Sequence, residues 1–274
     1  MRGVFGAALL AVVGLLSAAS AQAATLPTLT VSITKTSITV AGAEESGAVN
    51  VVTSATGVKE AGAILFLLKP GATFEEVETA KRNAGAAGHD PNFLSKYGTI
   101  VFDTEVAPGK SSEGQTVLQP GRYVAAVPGE GKGSKVHAEF TVTSAASPAT
   151  LPTPQATVRS IEFGFRGPTT LHDGELVRFE NEGYLVHMDI ALPVKSEKIA
   201  KQLVKDLLAG KEKASEKLVA GAPVTFAGPM SHESLMQETI TAKPGWYVQA
   251  CFMETQDGRD HTRLGMERII KIVK

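Results

Sequence analysis

The residues able to do chemistry gather in three segments of the last third of the chain. The first runs from Asn181 through Gly183 to His187, and the second ends a strand-like run at Cys251. The third carries His261 and Met266 and follows the cysteine after nine intervening residues, Phe252 to Asp260. Cys251 is the single cysteine, so no intramolecular disulfide can form. A thiol of that kind is an inert buried group, an intermolecular disulfide partner, a nucleophile or a metal ligand. A nucleophilic role is disfavoured, because Cys251 closes a strand pattern instead of opening a helix whose N-terminus would lower its pKa. Taken singly, His187 reads as a hydrogen-bonded core or surface histidine and Met266 as core filling. No Gly-x-Ser-x-Gly elbow, His-Glu-x-x-His, phosphate loop or dinucleotide fingerprint occurs, so the chain is not expected to be an enzyme.

Composition bounds the setting of these residues. The 274 residues hold 27 Lys plus Arg against 28 Asp plus Glu, for a net charge of −1. That balance argues against a nucleic-acid partner and against a basic membrane-surface protein. Arg2, an apolar run from Val4 to Leu16 and Ala21-Gln-Ala23 read as a signal peptide (1–23) cut after Ala23. The apolar run is shorter than the ~20 residues of a spanning helix, which predicts a periplasmic or secreted protein without a membrane anchor.

The elements that must position the candidate residues come in two copies. The stretch 144–156, rich in Ala, Ser, Thr and Pro, reads as a linker between residues 24–143 and 157–274. Before it, residues 28–40 alternate like a strand, residues 63–68 form an apolar run, and Thr73 with Glu76 sets a capping box for a helix over 73–83. Residues 99–102, 115–118, 122–127 and 138–142 read as further strands. After the linker, residues 158–165, 176–181 and 186–192 read as strands. A helix over 196–209 follows, with Ile199, Leu203, Val204, Leu207 and Leu208 on one face, then strands over 238–241, 246–251 and 268–273. Pro-Gly-Arg-Tyr-Val at 120–124 matches Pro-Gly-Trp-Tyr-Val at 244–248, which sets Val127 opposite Cys251. Many short strands between Gly and Pro turns favour β-sandwiches.

With Asn181 and Gly183 before His187, Pro-Gly-x-Tyr before Cys251, and His261-x4-Met266 with Gly265 before the methionine, the second half resembles the cupredoxins, the blue-copper β-sandwich family. The resemblance covers residues 157–273 and is closest to bacterial cupredoxin-like proteins of uncertain role. It implies an all-β fold of two tandem cupredoxin-like Greek-key β-sandwiches, each with a helical insertion. It also implies one type 1-like copper ion, with His187, Cys251 and His261 as equatorial ligands and Met266 as the axial one. Such a thiolate and imidazole set suits copper moving between Cu(I) and Cu(II), because soft sulfur favours the first and imidazole serves both. The implied role is single-electron transfer or copper carriage with a redox or copper-transfer protein as partner. The alternative is a metal-free binding or structural module of the cell envelope.

Two positions depart from the family. Nine residues separate Cys251 from His261 where familiar members have two to four, and Met188 follows the first histidine where a polar residue is common. The first half lacks the set: Val127 replaces the cysteine, a small residue near Gly62 stands for His187, and His137 lies close to the Met266 position. His89, His137, His172 and His232 read as solvated loop or strand-end residues, and Glu254, Asp257 and Asp260 as keeping the long loop solvated. Seven lysines between Lys195 and Lys217 against four acids make a solvated or partner-docking face.

Overall fold

The computed structural model describes residues 25–58, 61–107, 109–127 and 136–274. The signal-peptide reading of residues 1–23 lies outside them. In the first half the strands are β1 (Thr28–Ile33), β2 (Ile38–Gly42), β3 (Gly47–Ala55), β4 (Ala61–Leu68), β5 (Gly98–Val106), β6 (Ser111–Leu118), β7 (Gly121–Ala126) and β8 (His137–Val142). In the second they are β9 (Ala156–Ile161), β10 (Gly164–Arg166), β11 (Thr170–His172), β12 (Leu176–Asn181), β13 (His187–Val194), β14 (Val224–Met230), β15 (Leu235–Thr239), β16 (Gly245–Ala250) and β17 (Glu267–Val273). Helix α1 (Phe74–Asn83) follows β4, and α2 (Glu197–Leu208) with α3 (Glu212–Glu216) follows β13.

The two halves are wired alike. One layer of the first half has the order β2-β1-β3-β6, and the second half repeats it as β10-β9-β12-β15. The opposing layers are β5-β4-β7-β8 and β14-β13-β16-β17, the latter extended by β11. Both halves place a parallel pair, β1 with β3 and β9 with β12, in the matching layer, and the second half adds a further one, β11 with β17. The fold is therefore two all-β sandwiches in tandem, each with its helical insertion after the fourth repeated strand. Tyr123 and Tyr247, from the matched Pro-Gly-x-Tyr motifs, anchor the turn before β7 and β16 in the same manner. Each hydroxyl donates to a carbonyl four residues earlier, of Gln119 at 3.1 Å and of Lys243 at 2.7 Å.

The equivalent strands β6 and β15 meet edge to edge, antiparallel, at Gln115 and Gln237, and join the two layers into one eight-stranded sheet. One apolar core runs through both halves, from Val31, Val51 and Tyr123 to Phe179, Phe226 and Ile270. Burial on that scale, at ~25 cal/mol per Å² of apolar area, supplies the main drive for folding. The stretch 144–156 is tied down: Ala48 N–H donates to the Ala149 carbonyl at 2.9 Å, and Gln237 Nε2 donates to the Pro152 carbonyl at 3.1 Å.

Several local readings hold and some change. The capping box is present, with Thr73 Oγ1 accepting from Glu76 N–H at 3.2 Å and Glu76 Oε2 accepting from Thr73 N–H at 2.8 Å. Residues 28–40 split into β1 and β2 around a turn whose Thr34 and Ser37 side chains bond each other at 2.8 Å. Strands β3 and β14, and the short β11, were not expected. Strand β14 contains Gly228 and Pro229, which a central strand would exclude, but it lies at the edge of its sheet, where a missing N–H is tolerated.

Candidate metal centre

The first donor stands at the start of β13. The turn before it is shaped by Asn181, a buried side chain at the end of β12 whose amide is fully used. Its Nδ2 donates to the carbonyls of Leu185 at 2.8 Å and Met230 at 2.7 Å, and its Oδ1 accepts from Gly183 N–H at 2.9 Å. Gly183 is required by space: a Cβ there would sit 2.6 Å from His187 Nε2. His187 is thereby set into the interior, 1% exposed.

The second donor, Cys251, follows β16 and is fully buried. Its sulfur accepts a hydrogen bond from Met188 N–H at 3.4 Å, so the residue that departs from the family pattern contributes through its backbone. The third, His261, would be remote if the intervening residues were a slack loop. Instead residues 253–261 fold into a hairpin, with His261 N–H donating to the Met253 carbonyl at 2.8 Å and Thr255 N–H to the Arg259 carbonyl at 2.9 Å. Gly258, at φ +75°, makes its tip. The hairpin takes residues 254–260 out of the path, and His261 emerges as if it followed Met253. A short 3₁₀ turn, His261–Leu264, ends in left-handed Gly265 and leads to Met266. Met266 is fully buried, and its backbone bonds to both Cys251 and His261, at 3.1 and 3.0 Å.

These elements bring His187, Cys251 and His261 together. The two Nδ1 atoms lie 3.1 Å apart, and Cys251 Sγ lies 3.4 Å from His261 Nδ1 and 3.8 Å from His187 Nδ1. An ion bound at ~2.0–2.3 Å from three donors in a plane would hold them roughly 3.5–4.0 Å apart, close to the triangle present. Burial pushes both imidazoles down to about 4 and the thiol up to about 12. Burial thus favours the uncharged form of all three groups, so neither imidazole carries a charge that would repel a cation at neutral pH. A cation entering there displaces one proton, that of the thiol.

Two residues passed over in the sequence cover the imidazoles. Both belong to the turn between β9 and β10. The Glu162 carboxylate lies 3.9 Å from His187 Nε2 and accepts from the backbone N–H groups of Tyr184 and Leu185. The Phe163 ring stands edge-on to His261, centroids 5.2 Å apart, from a backbone held at φ +55°. A bulky side chain seldom adopts that conformation, and nothing in the local sequence signals it. Of the histidines read as solvated, His232 lies beside the site: it bonds the Gly183 carbonyl at 2.8 Å and packs on Tyr184. His89 pairs with Glu254 of the hairpin. His137 packs on Phe74, and His172 bonds the backbone of Lys274.

No protein-family model matches the chain, and no curated protein does. Among solved structures, it is similar in fold to auracyanin B, with 16% identity over 45% of this chain and 93% of that one, TM-score 0.27. It also aligns with the copper-containing nitrite reductase of Thermus scotoductus (12% identity, 90% of this chain and 67% of that one, TM-score 0.26). A multicopper oxidase aligns over 90% of this chain and 88% of its own, at 10% identity and TM-score 0.23. The expectation that the chain is not an enzyme is corrected by these neighbours, since a reductase and an oxidase are enzymes. The missing catalytic motifs exclude only the chemistries those motifs serve, whereas copper chemistry on such a fold needs none of them. Among the described residues no helix is long and apolar enough to cross a membrane.

Proposed function

We propose that the chain binds one copper ion through His187 Nδ1, Cys251 Sγ and His261 Nδ1, with Met266 as the axial thioether. The observation that carries this reading is the convergence of the three donor atoms within a buried triangle of 3.1, 3.4 and 3.8 Å. A soft thiolate with two imidazoles is a copper set, and the ion would supply one-electron chemistry. The residues around it supply rigidity. Asn181 fixes the turn before His187, Met188 N–H holds the sulfur, and Phe163 and the hairpin hold the His261 ring. A site that barely moves lowers the cost of changing oxidation state, so single-electron transfer or copper carriage with a protein partner is its natural use. The same reading takes residues 24–143 and 157–274 as the domains, joined by 144–156, and places the exported chain in the periplasm or outside the cell.

A Cu(II) titration of the purified chain, followed by visible absorption, tests this. An intense thiolate-to-copper band that saturates at one equivalent and is absent in Cys251→Ser is the expected result. A folded, reduced protein that gives no such band would refute it.

A further inference from the structure

The hairpin that delivers His261 also reaches the other half of the molecule. Its first strand carries Glu254, whose carboxylate pairs with His89 Nδ1 of the first half. His89 ends a 3₁₀ turn, Gly85–His89, in the segment between α1 and β5. The tip residue Gly258 lies against the same ring, where a Cβ would come within 4.0 Å of it. Beneath the pair, Val186 and Met253 belong to one apolar cluster with Phe74, Val77, Leu94 and Tyr97 of the first half's insertion. Val186 precedes His187, and Met253 carries the carbonyl that receives His261 N–H. On the other side of His187, the Ile100 backbone bonds Ser231 twice, both at 3.0 Å, and accepts from Ser234 Oγ at 2.8 Å. These serines follow Met230, the strand partner of His187. The neighbours of both imidazole-bearing segments are therefore held by the half that has no metal ligands.

We propose that His89 and Glu254 are positioning residues for the metal centre. They latch the ligand hairpin to the first half, so that the first half governs how readily the Cys251 thiol and any bound ion are reached. The proposal rests on the copper reading only in treating Cys251 and His261 as ligands. Both latch side chains are partly solvated, at 50% and 35% exposure, so the pair adds little to global stability. The hairpin is a different matter: residues 256–259 are exposed, and local opening there is the short route to the buried thiol.

The test uses the full chain without metal. The rate at which Cys251 reacts with 5,5′-dithiobis(2-nitrobenzoate) is measured for wild type, His89→Gln, Glu254→Gln, the double variant and His89→Lys. The expected result is a rate about 1.5- to five-fold faster in each single variant, the range that exposed pairs of this kind supply. The double variant should be no faster than the singles, and His89→Lys, which places an amine opposite the Glu254 carboxylate, should be as slow as wild type. Melting temperatures should be unchanged throughout. Equal rates in all five proteins, or singles whose effects add in the double variant, would overturn the latch. Should either glutamine variant fail to fold, Glu254→Asp, which withdraws the charge by one methylene, takes its place. A wild-type chain that shows no copper band would sink the copper reading, whereas these rates, taken without metal, judge the latch by themselves.

Discussion

The two halves share one wiring and differ in what that wiring presents at one end. Val127 and Cys251 directly follow the equivalent strands β7 and β16. Ile64 pairs with Ala126 as Ile190 pairs with Ala250, so counting back three residues sets Ala61, one place from the expected Gly62, opposite His187. Likewise Ala126 pairs with His137 and Ala250 with Glu267, which sets Val136, the neighbour of His137, opposite Met266. The turn between the first two strands completes the contrast. In the second half it sends Glu162 and Phe163 over the imidazoles, whereas in the first its Thr34 and Ser37 side chains bond each other. The same strand order thus forms with and without the donor set, which sits among residues at one end of the second sandwich. The first half then serves the second, through α1 and the segment around His89.

Several experiments would break or sharpen this contrast, beginning with the largest effect. Cys251→Ser should weaken copper binding by more than about 100-fold, a greater loss than changing a residue that only orients a ligand, while Val127→Cys in the first half should create no second copper band. Titration of both variants, read by absorption, checks the pair. Asn181→Ala should cost roughly 2–4 kcal/mol of stability by orphaning buried backbone groups, and about ten-fold in copper affinity. Denaturant unfolding and competition with a chelator measure the two losses separately.

The matched tyrosines give a finer comparison. Tyr247→Phe should cost about 1 kcal/mol, the worth of one hydrogen bond. Tyr123→Phe should cost more, roughly 1–3 kcal/mol, because the Tyr123 hydroxyl also accepts from Gln119 N–H at 2.9 Å, which would lose its partner. Thermal melts of both variants rank them.

A pH-dependent effect concerns the seam between the halves. Asp103 of β5 is 3% exposed and abuts Gly228 of β14, where a Cβ would lie 2.7 Å from its carboxylate. Burial, with Glu105 nearby, pushes its pKa up to about 8. A raised carboxyl pKa favours the fold fully below the unfolded value near 3.8, and that contribution is lost as pH rises to about 8. Stability measured from pH 4 to 8 should therefore fall more steeply in wild type than in Asp103→Asn. Parallel slopes would show that Asp103 does not titrate in this way.

Much of this was legible in the chain itself. The repeated Pro-Gly-x-Tyr motifs, the capping box at Thr73 and the amphipathic run over 196–209 are local patterns, and local patterns are what a sequence records. The four candidate ligands came from the resemblance of their motifs to the cupredoxins, and the structure brings His187, Cys251 and His261 together. Strand β14 was not, because its Gly-Pro pair is tolerated only by virtue of an edge position that the chain order does not reveal. Glu162 and Phe163 were likewise invisible, since their role depends on one backbone turn at positive φ. The spacing from Cys251 to His261 looked too long because distance along a chain is not distance in space: two backbone hydrogen bonds fold the excess into a hairpin.

By itself, then, the sequence marked which residues could bind a soft metal and set them in the second of two similar β-rich halves. Tertiary structure alone decided that the donors converge, that burial leaves both imidazoles neutral and the thiol protonated, and that His89 reaches Glu254 across the seam. The physical reason is that donor chemistry and strand propensity belong to individual residues and their neighbours. Convergence, desolvation and cross-half contact belong to pairs far apart in the chain, and only packing brings those pairs together.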